Sequence, residues 1–364
     1  MTRIRTVAVS AARWVALTVV SVVGWVALDA AGLTAPSLFA ALVIAVVFAL
    51  TGLGPARVPR LGSMAAQGTL AVTIGLMIDP DTLGALGINV IPAVLVGVAT
   101  LVISAGAGAL LALHREVTAA TGMLSLIAGG ATGLVAAARE LGGDERVVAV
   151  VQYLRVALVV VTMPLVVTFA FHADTGAVAA PDAGGGSFPW WVALGFVAGA
   201  VVVGIVAGRL LRLPAPATLG PLLVSGACGL SGWPGDLDVP AAVLPVAFLV
   251  IGWQAGLAFT LPSLRLIGRL FPYAVALVVG VGVVCALFGW LLAESTGTSM
   301  LTGYLATTPG GLAAVLAVSA STGSDVTFVA CVQLIRLVLM LIAAPVIASL
   351  LTRRAARRTD TVGV

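Results

Sequence analysis

"GYLATTPGGLAAVLA", residues 303–317, decides how this chain is read. It lies in sequence apolar enough to be buried in lipid, yet Pro309, Gly310 and Gly311 are poor helix-interior residues. In a bilayer a broken helix leaves N–H and C=O groups without water, so a break is tolerated only where protein or a cavity satisfies them. A counterpart, "GMLSLIAGGATGLVAAA", occupies 122–138. The break is made twice.

The surroundings fix the class. The 364 residues are 61% hydrophobic and 9% charged, with a mean hydropathy of +1.19. Those values exclude a soluble globular domain and predict an all-α polytopic membrane protein with the lipid bilayer as its main partner. Cys228, Cys285 and Cys331 are far apart in apolar runs, and His114 and His172 stand alone at segment ends. Neither set has metal-ligand spacing, so no metal or other cofactor is expected. A pI of about 9.5 comes from arginines that report membrane orientation, and no direct nucleic-acid partner is expected.

The duplication runs through the whole chain. "VVGWVALDAAGLTAP" (22–36) returns as "VVGIVAGRLLRLPAP" (202–216), which argues that the N-terminal apolar segment is a retained helix of a repeated unit rather than a cleaved signal. The densest agreement comes last. Gly122, Gly129, Gly130, Gly142, Asp144, Gln152, Arg155 and Pro164 meet Gly303, Gly310, Gly311, Gly323, Asp325, Gln333, Arg336 and Pro345 at a constant shift of 181. The expected organisation is a membrane repeat at 1–171, a Gly/Ala/Pro-rich linker at 172–189, a second repeat at 190–352 and a basic tail at 353–364.

Charge sets the topology. Each repeat reads as six apolar segments; in the first they run at about 12–32, 36–53, 63–78, 88–112, 117–139 and 147–171. Between segments, basic and acidic loops alternate: Arg3, Arg5 and Arg13, then Asp29, then Arg57 and Arg60, then Asp79 and Asp81, then Arg115. The linker carries only Asp174 and Asp182 among charged residues. Positive loops face the cytoplasm throughout only if the fifth and sixth segments together cross an odd number of times. The simplest solution makes the fifth segment a re-entrant hairpin with its Gly-Gly pair at the tip, entering from the cytoplasmic side at 117–139 and from outside at 298–321. Each repeat then has five crossings plus a hairpin, and the two repeats are inverted. Inverted repeats with interrupted segments belong to secondary transporters. Both termini are expected in the cytoplasm and the linker outside, in a bacterial inner membrane. The alternative is a continuous helix packed through small residues, which Pro309 and the charge pattern oppose.

The chemistry is expected at these breaks. "QYLR" (152–155) and "QLIR" (333–336) place a glutamine and an arginine on one helix face near mid-depth, where a charge costs several kcal/mol unless paired. Gly129, Gly130, Thr132 and Gly133 at one tip, and Thr307, Thr308, Pro309, Gly310 and Gly311 at the other, supply backbone groups, hydroxyls and a helix N-terminus. With Gln152, Arg155, Gln333 and Arg336 they form the expected substrate-binding set. The arginines either bind an anionic substrate or cap hairpin carbonyls without touching it. No Asp or Glu falls at predicted mid-depth, which disfavours an exchanger built on a midplane carboxylate; Asp144 and Asp325 read as N-caps.

The doubled "GG…G-x-D…Q-x-x-R…P" pattern, with "TTPGG" in the second copy, resembles the AbrB family of bacterial membrane proteins. The likeness spans nearly the whole chain and is best at 122–164 and 303–345; the first copy departs from it with "AGG" at 128–130. The resemblance implies a place near transporters with inverted five-helix repeats. It also brings the labels ammonia monooxygenase and regulator of gene expression. A monooxygenase would need clustered metal ligands, so no enzyme is expected. The reading is a transporter of a small carboxylate-type anion working by alternating access, with a membrane-embedded sensor or regulator as the alternative. A coupling ion (Na+ or H+) and a homodimer stay open.

Overall fold

Glycine, proline and charge punctuate the apolar runs, and the helices start and stop at those marks. A computed structural model describes residues 2–33, 35–78, 80–115, 117–127, 134, 138, 142–173, 188–213, 215–233, 237, 239–259, 261, 268–340 and 342–343. All its described elements are helical. They are α1 (Thr2–Ala30), α2 (Pro36–Thr51), α3 (Arg60–Leu76), α4 (Pro80–Leu111), α5 (Ala119–Leu126), α6 (Glu145–Phe169), α7 (Trp190–Leu210), α8 (Pro216–Leu230) and α9 (Val243–Gly256). A short 3-10 turn (Gly268–Leu270) leads into α10 (Phe271–Thr296), followed by α11 (Met300–Thr307), α12 (Leu312–Ser321) and α13 (Val326–Met340).

Among the described residues, five stretches are long and apolar enough to cross a membrane: Val9–Ala30, Val90–Leu111, Glu145–Phe169, Trp190–Leu210 and Gly268–Thr296. At 21 to 29 residues they reach about 30 Å or more at 1.5 Å per residue, the thickness of a hydrocarbon core. Helices α2, α8 and α9 are apolar but shorter, at 14 to 16 residues. Val15, Val23 and Val26 on α1 are more than 60% exposed, which suits lipid and not water.

Corresponding local devices recur in the two halves. Pro36 and Pro216 open α2 and α8, where the missing N–H costs nothing. The residues before them, Ala35 and Ala215, share a left-handed conformation with φ of 49° and 50°.

The chain divides into two compact units, and each draws on both halves of the sequence. The first comprises Met1–Gly87, Val160–Leu261 and Gly311–Val329; the second comprises Ile88–Val159, Pro262–Gly310 and Ala330–Val364. In the first unit α2 packs on α1 and α9, while α8 packs on α3 and α7. The partners are exchanged between halves. A Cβ on Gly75 of α3 would lie 2.7 Å from Leu222 O and 2.9 Å from Gly226 N of α8. A Cβ on Gly256 of α9 would lie 2.5 Å from Leu42 O and 3.0 Å from Val46 N of α2. These glycines let backbones approach to a distance that any side chain would prevent. Around them lie two apolar cores. One joins Leu17, Ala41, Ala45, Leu249, Trp253 and Leu257, and the other joins Val72, Val197, Ala200, Val201 and Ile205. Helix α12 packs against α3 and α9 in the same unit.

In the second unit the short helices α5 and α11 lie against α4 and α10. A Cβ on Gly108 would meet Gly122 O at 2.8 Å, and one on Gly289 would meet Gly303 O at 2.7 Å. Leu101, Leu124, Ile127, Leu134, Ala138, Val148 and Met340 form the apolar core there.

Candidate functional site

The site is built on two eight-residue helices that stop in the middle of apolar sequence. Thr118 caps the start of α5, its hydroxyl accepting from Thr121 N at 3.2 Å, and Ser299 caps α11, accepting from Thr302 N at 3.1 Å. Both helices end by turning extended, at Ile127 (ψ 129°) and Thr308 (ψ 126°). An α-helix leaves its last four carbonyls without intrahelical donors, and none of these can be left bare in an apolar interior.

Side chains from the next long helix supply the donors. Gln152 Nε2 on α6 donates to Leu124 O at 2.7 Å and Ile127 O at 2.8 Å, and Arg155 donates from one terminal nitrogen to Ile127 O at 3.1 Å. On α13, Gln333 Nε2 donates to Leu305 O at 2.8 Å and Thr308 O at 3.2 Å. Arg336 donates to Thr307 O at 2.7 Å and Thr308 O at 2.9 Å. The i, i+3 spacing of Q-x-x-R thus places both donors over one helix end. Each arginine lies ten residues beyond the start of its helix, counting from Glu145 and from Val326, and is 4% exposed. Helix α6 starts at Glu145, two residues before the expected segment at 147–171. Asp144 Oδ1 accepts from Arg146 N and Val147 N, and Asp325 Oδ1 accepts from Phe328 N, so both act as N-caps.

The charge balance is incomplete. A helix C-terminus carries about half a negative charge, so it offsets a guanidinium only in part. The partners of both arginines among the described residues are carbonyls and an amide oxygen, with no carboxylate among them. The Arg336 charge acts on Arg155 as well, within the same unit. Nε of Arg155, Nε of Arg336 and Oε1 of Gln152 are buried without a hydrogen-bond partner among the described residues.

Other expected site residues have local roles. Thr307 Oγ1 donates to Cys285 O at 2.8 Å and Thr308 Oγ1 donates to Tyr304 O at 2.6 Å, so these hydroxyls tie α11 to α10 and to itself. Pro309 is buried, Gly310 and Gly311 are half-buried, and Gly311 precedes α12 with no side chain capping that helix. Gly129, Gly130, Thr132 and Gly133 lie outside the described residues. The sequence reading did not single out Leu124, Ile127 and Leu305, which act through backbone oxygens that leave no residue signature. The caps Thr118 and Ser299 are likewise not among the expected residues, although a hydroxyl residue just before an apolar run is a signal that could have found them.

Apolar spans, paired short helices and side chains that close their ends define a helical membrane protein. The chain belongs to the AbrB family: the family model described as "Transition state regulatory protein AbrB" matches residues 38–352. The chain is similar to "Putative regulator AbrB" of Escherichia coli (strain K12), with 30% identity over 352 residues covering 95% of this chain and 99% of the relative. It is also similar to "Uncharacterized protein YhjN" of Bacillus subtilis (strain 168), 28% identical over 242 residues and 62% of each chain.

Proposed function

We propose that this protein is a secondary transporter of a small carboxylate-type anion, working by alternating access. Two inverted repeats of five crossings and one re-entrant hairpin form its frame. In that frame α5 and α11 are the entering arms of the hairpins, and α1–α4 with α6 and α7–α10 with α13 are the ten crossings. Positive loops then face the cytoplasm, with both termini inside.

One observation carries the reading. Arg155 and Arg336 hold two positive charges in an apolar interior, with only carbonyl dipoles and amide oxygen against them. A charge so placed costs several kcal/mol in a membrane, and an anion entering beside it recovers part of that cost. The broken helices add to the case, since unwound backbone at membrane depth is tolerated where it lines a cavity.

Counterflow in proteoliposomes tests this. Protein loaded with unlabelled carboxylates is expected to accumulate labelled ones from outside, and Arg155→Gln to abolish the flux in a monodisperse protein. Cation flux with no anion flux would overturn the reading. The regulator name carried by the Escherichia coli relative favours a second reading, a membrane-embedded solute sensor acting indirectly on gene expression. Saturable binding without translocation would select it.

A further inference from the structure

The two Q-x-x-R clips share a sequence but not a hydrogen-bond pattern. In both, the amide nitrogen must face the helix-end carbonyls, because only that end of the amide can donate. The amide oxygen is therefore turned away from them. Gln333 Oε1 accepts from a terminal nitrogen of Arg336, which closes the second clip on itself. Among the described residues Gln152 Oε1 accepts from nothing, although Gln152 is 0% exposed. Arg155 gives its hydrogen bond to Ile127 O instead.

A third unmatched group lies in the same unit. Ser104 Oγ on α4 is buried without a partner, and Ser104 is 1% exposed. Its neighbour Ala105 packs into the core formed by Leu124 and Ile127, the residues whose carbonyls Gln152 holds. At the shift of 181 the counterpart of Ser104 is Cys285, whose carbonyl is engaged by Thr307. Among the described residues the first copy thus carries an acceptor without a donor and a hydroxyl without a partner, beside a guanidinium whose Nε is bare as it is in the second copy. The second copy has its amide oxygen filled from within. Buried polar atoms left bare cost about 1–3 kcal/mol each, so their concentration in one copy marks a place where a ligand completes the set.

We infer that Gln152, Arg155 and Ser104 form the ligand-binding copy, and that Gln333 and Arg336 form a structural clip. The ligand is a carboxylate with a hydrogen-bond donor on the adjacent carbon, a 2-hydroxy- or 2-amino-carboxylate. Its carboxylate faces Arg155 and its hydroxyl or ammonium donates to Gln152 Oε1. This assignment rests on the anion-transport reading and narrows it.

Matched ligands test it on the unaltered full chain. Binding to purified protein is measured by calorimetry for lactate and alanine against propionate, and for malate against succinate. At least one donor-bearing member is expected to bind about tenfold or more tighter than its partner lacking the donor, the loss expected when a buried acceptor stays unpaired. Arg336→Gln is expected to lower the melting temperature by more than Arg155→Gln does, as a structural clip requires. Equal affinity within every pair overturns this inference and leaves anion transport standing. Absence of carboxylate binding together with absence of anion flux in proteoliposomes overturns both.

Discussion

Arg336 donates to the side chain of Gln333 one turn earlier in α13, whereas Gln152 Oε1, one turn before Arg155 in α6, receives no donor. Among the described residues Arg336 closes three acceptors and Arg155 closes one. Truncation should therefore separate them. Arg336→Gln strands Thr307 O and leaves Gln333 Oε1 open, a loss of about 2–4 kcal/mol at the usual value of charged hydrogen bonds. Arg155→Gln removes one bond and also a poorly compensated charge, so its cost is expected to stay below about 1.5 kcal/mol. Unfolding of the purified protein followed by tryptophan fluorescence checks the order. A larger loss for Arg155→Gln would make it the structural arginine.

A different measurement addresses the backbone contacts beneath these clips. A methyl on Gly122 would lie 2.5 Å from Gly108 O and 2.9 Å from Ala112 N, both atoms of a packed helix. Neither can yield as a flexible side chain would. Gly122→Ala is expected to cost about 2–3 kcal/mol, at the upper end of overpacking effects, and Gly303→Ala to behave alike. Gly106→Ala and Gly282→Ala, which meet nothing within 4 Å, are the controls. They should be neutral or gain up to about 1 kcal/mol from helix propensity. Equal losses at all four positions would mean that helix packing is not what these glycines serve.

Part of this architecture is legible in the sequence, and particular residues show why. Pro309 with Gly310 and Gly311 announces a break because their backbone chemistry is local, and Q-x-x-R announces a shared face because helical periodicity is local too. Asp144 and Asp325 are N-caps on the same ground. The exchange of partners between halves is not legible. Gly75 reads as a small residue in an apolar helix, and nothing in its neighbours says that it will rest on Leu222 and Gly226 of the other half. The inequality of the two clips is hidden as well. Identical motifs meet different surroundings, Leu126 and Ile127 before one break and Thr307 and Thr308 before the other, and the outcome depends on three-dimensional geometry.

The link between α1 and α9 offers a further test. Trp253 Nε1 donates to Ser21 Oγ at 2.9 Å, and the Trp253 ring meets Trp14 edge-on at 5.9 Å between centroids. Ser21 is 0% exposed. Trp253→Phe keeps an aromatic ring but removes the donor, so a loss of about 1–2 kcal/mol is expected from the stranded hydroxyl and the smaller ring. Adding Ser21→Ala should recover part of it, because the unmatched oxygen is then gone. The readout is a double-mutant cycle on the melting transition. Full additivity of the two changes would show that the hydrogen bond contributes nothing to stability.

Residues 298–321 either turn back at the break or run on through the membrane. Helices α11 and α12 have eight and ten residues, about 12 and 15 Å of rise, so neither crosses a hydrocarbon core of about 30 Å alone. Laid end to end across the break, however, they would be long enough, and length by itself therefore leaves two paths. The charges favour a return, since Glu294 and Asp325 flank the segment with no arginine between them. Single cysteines at Ser295 and Ser324, in a chain with Cys228, Cys285 and Cys331 replaced, distinguish the paths. A hairpin makes a membrane-impermeant maleimide reach both sites from the extracytoplasmic side of sealed cells. Labelling of Ser295→Cys from outside and Ser324→Cys only after permeabilisation would make the segment a continuous span. The repeats would then have six crossings each and run parallel.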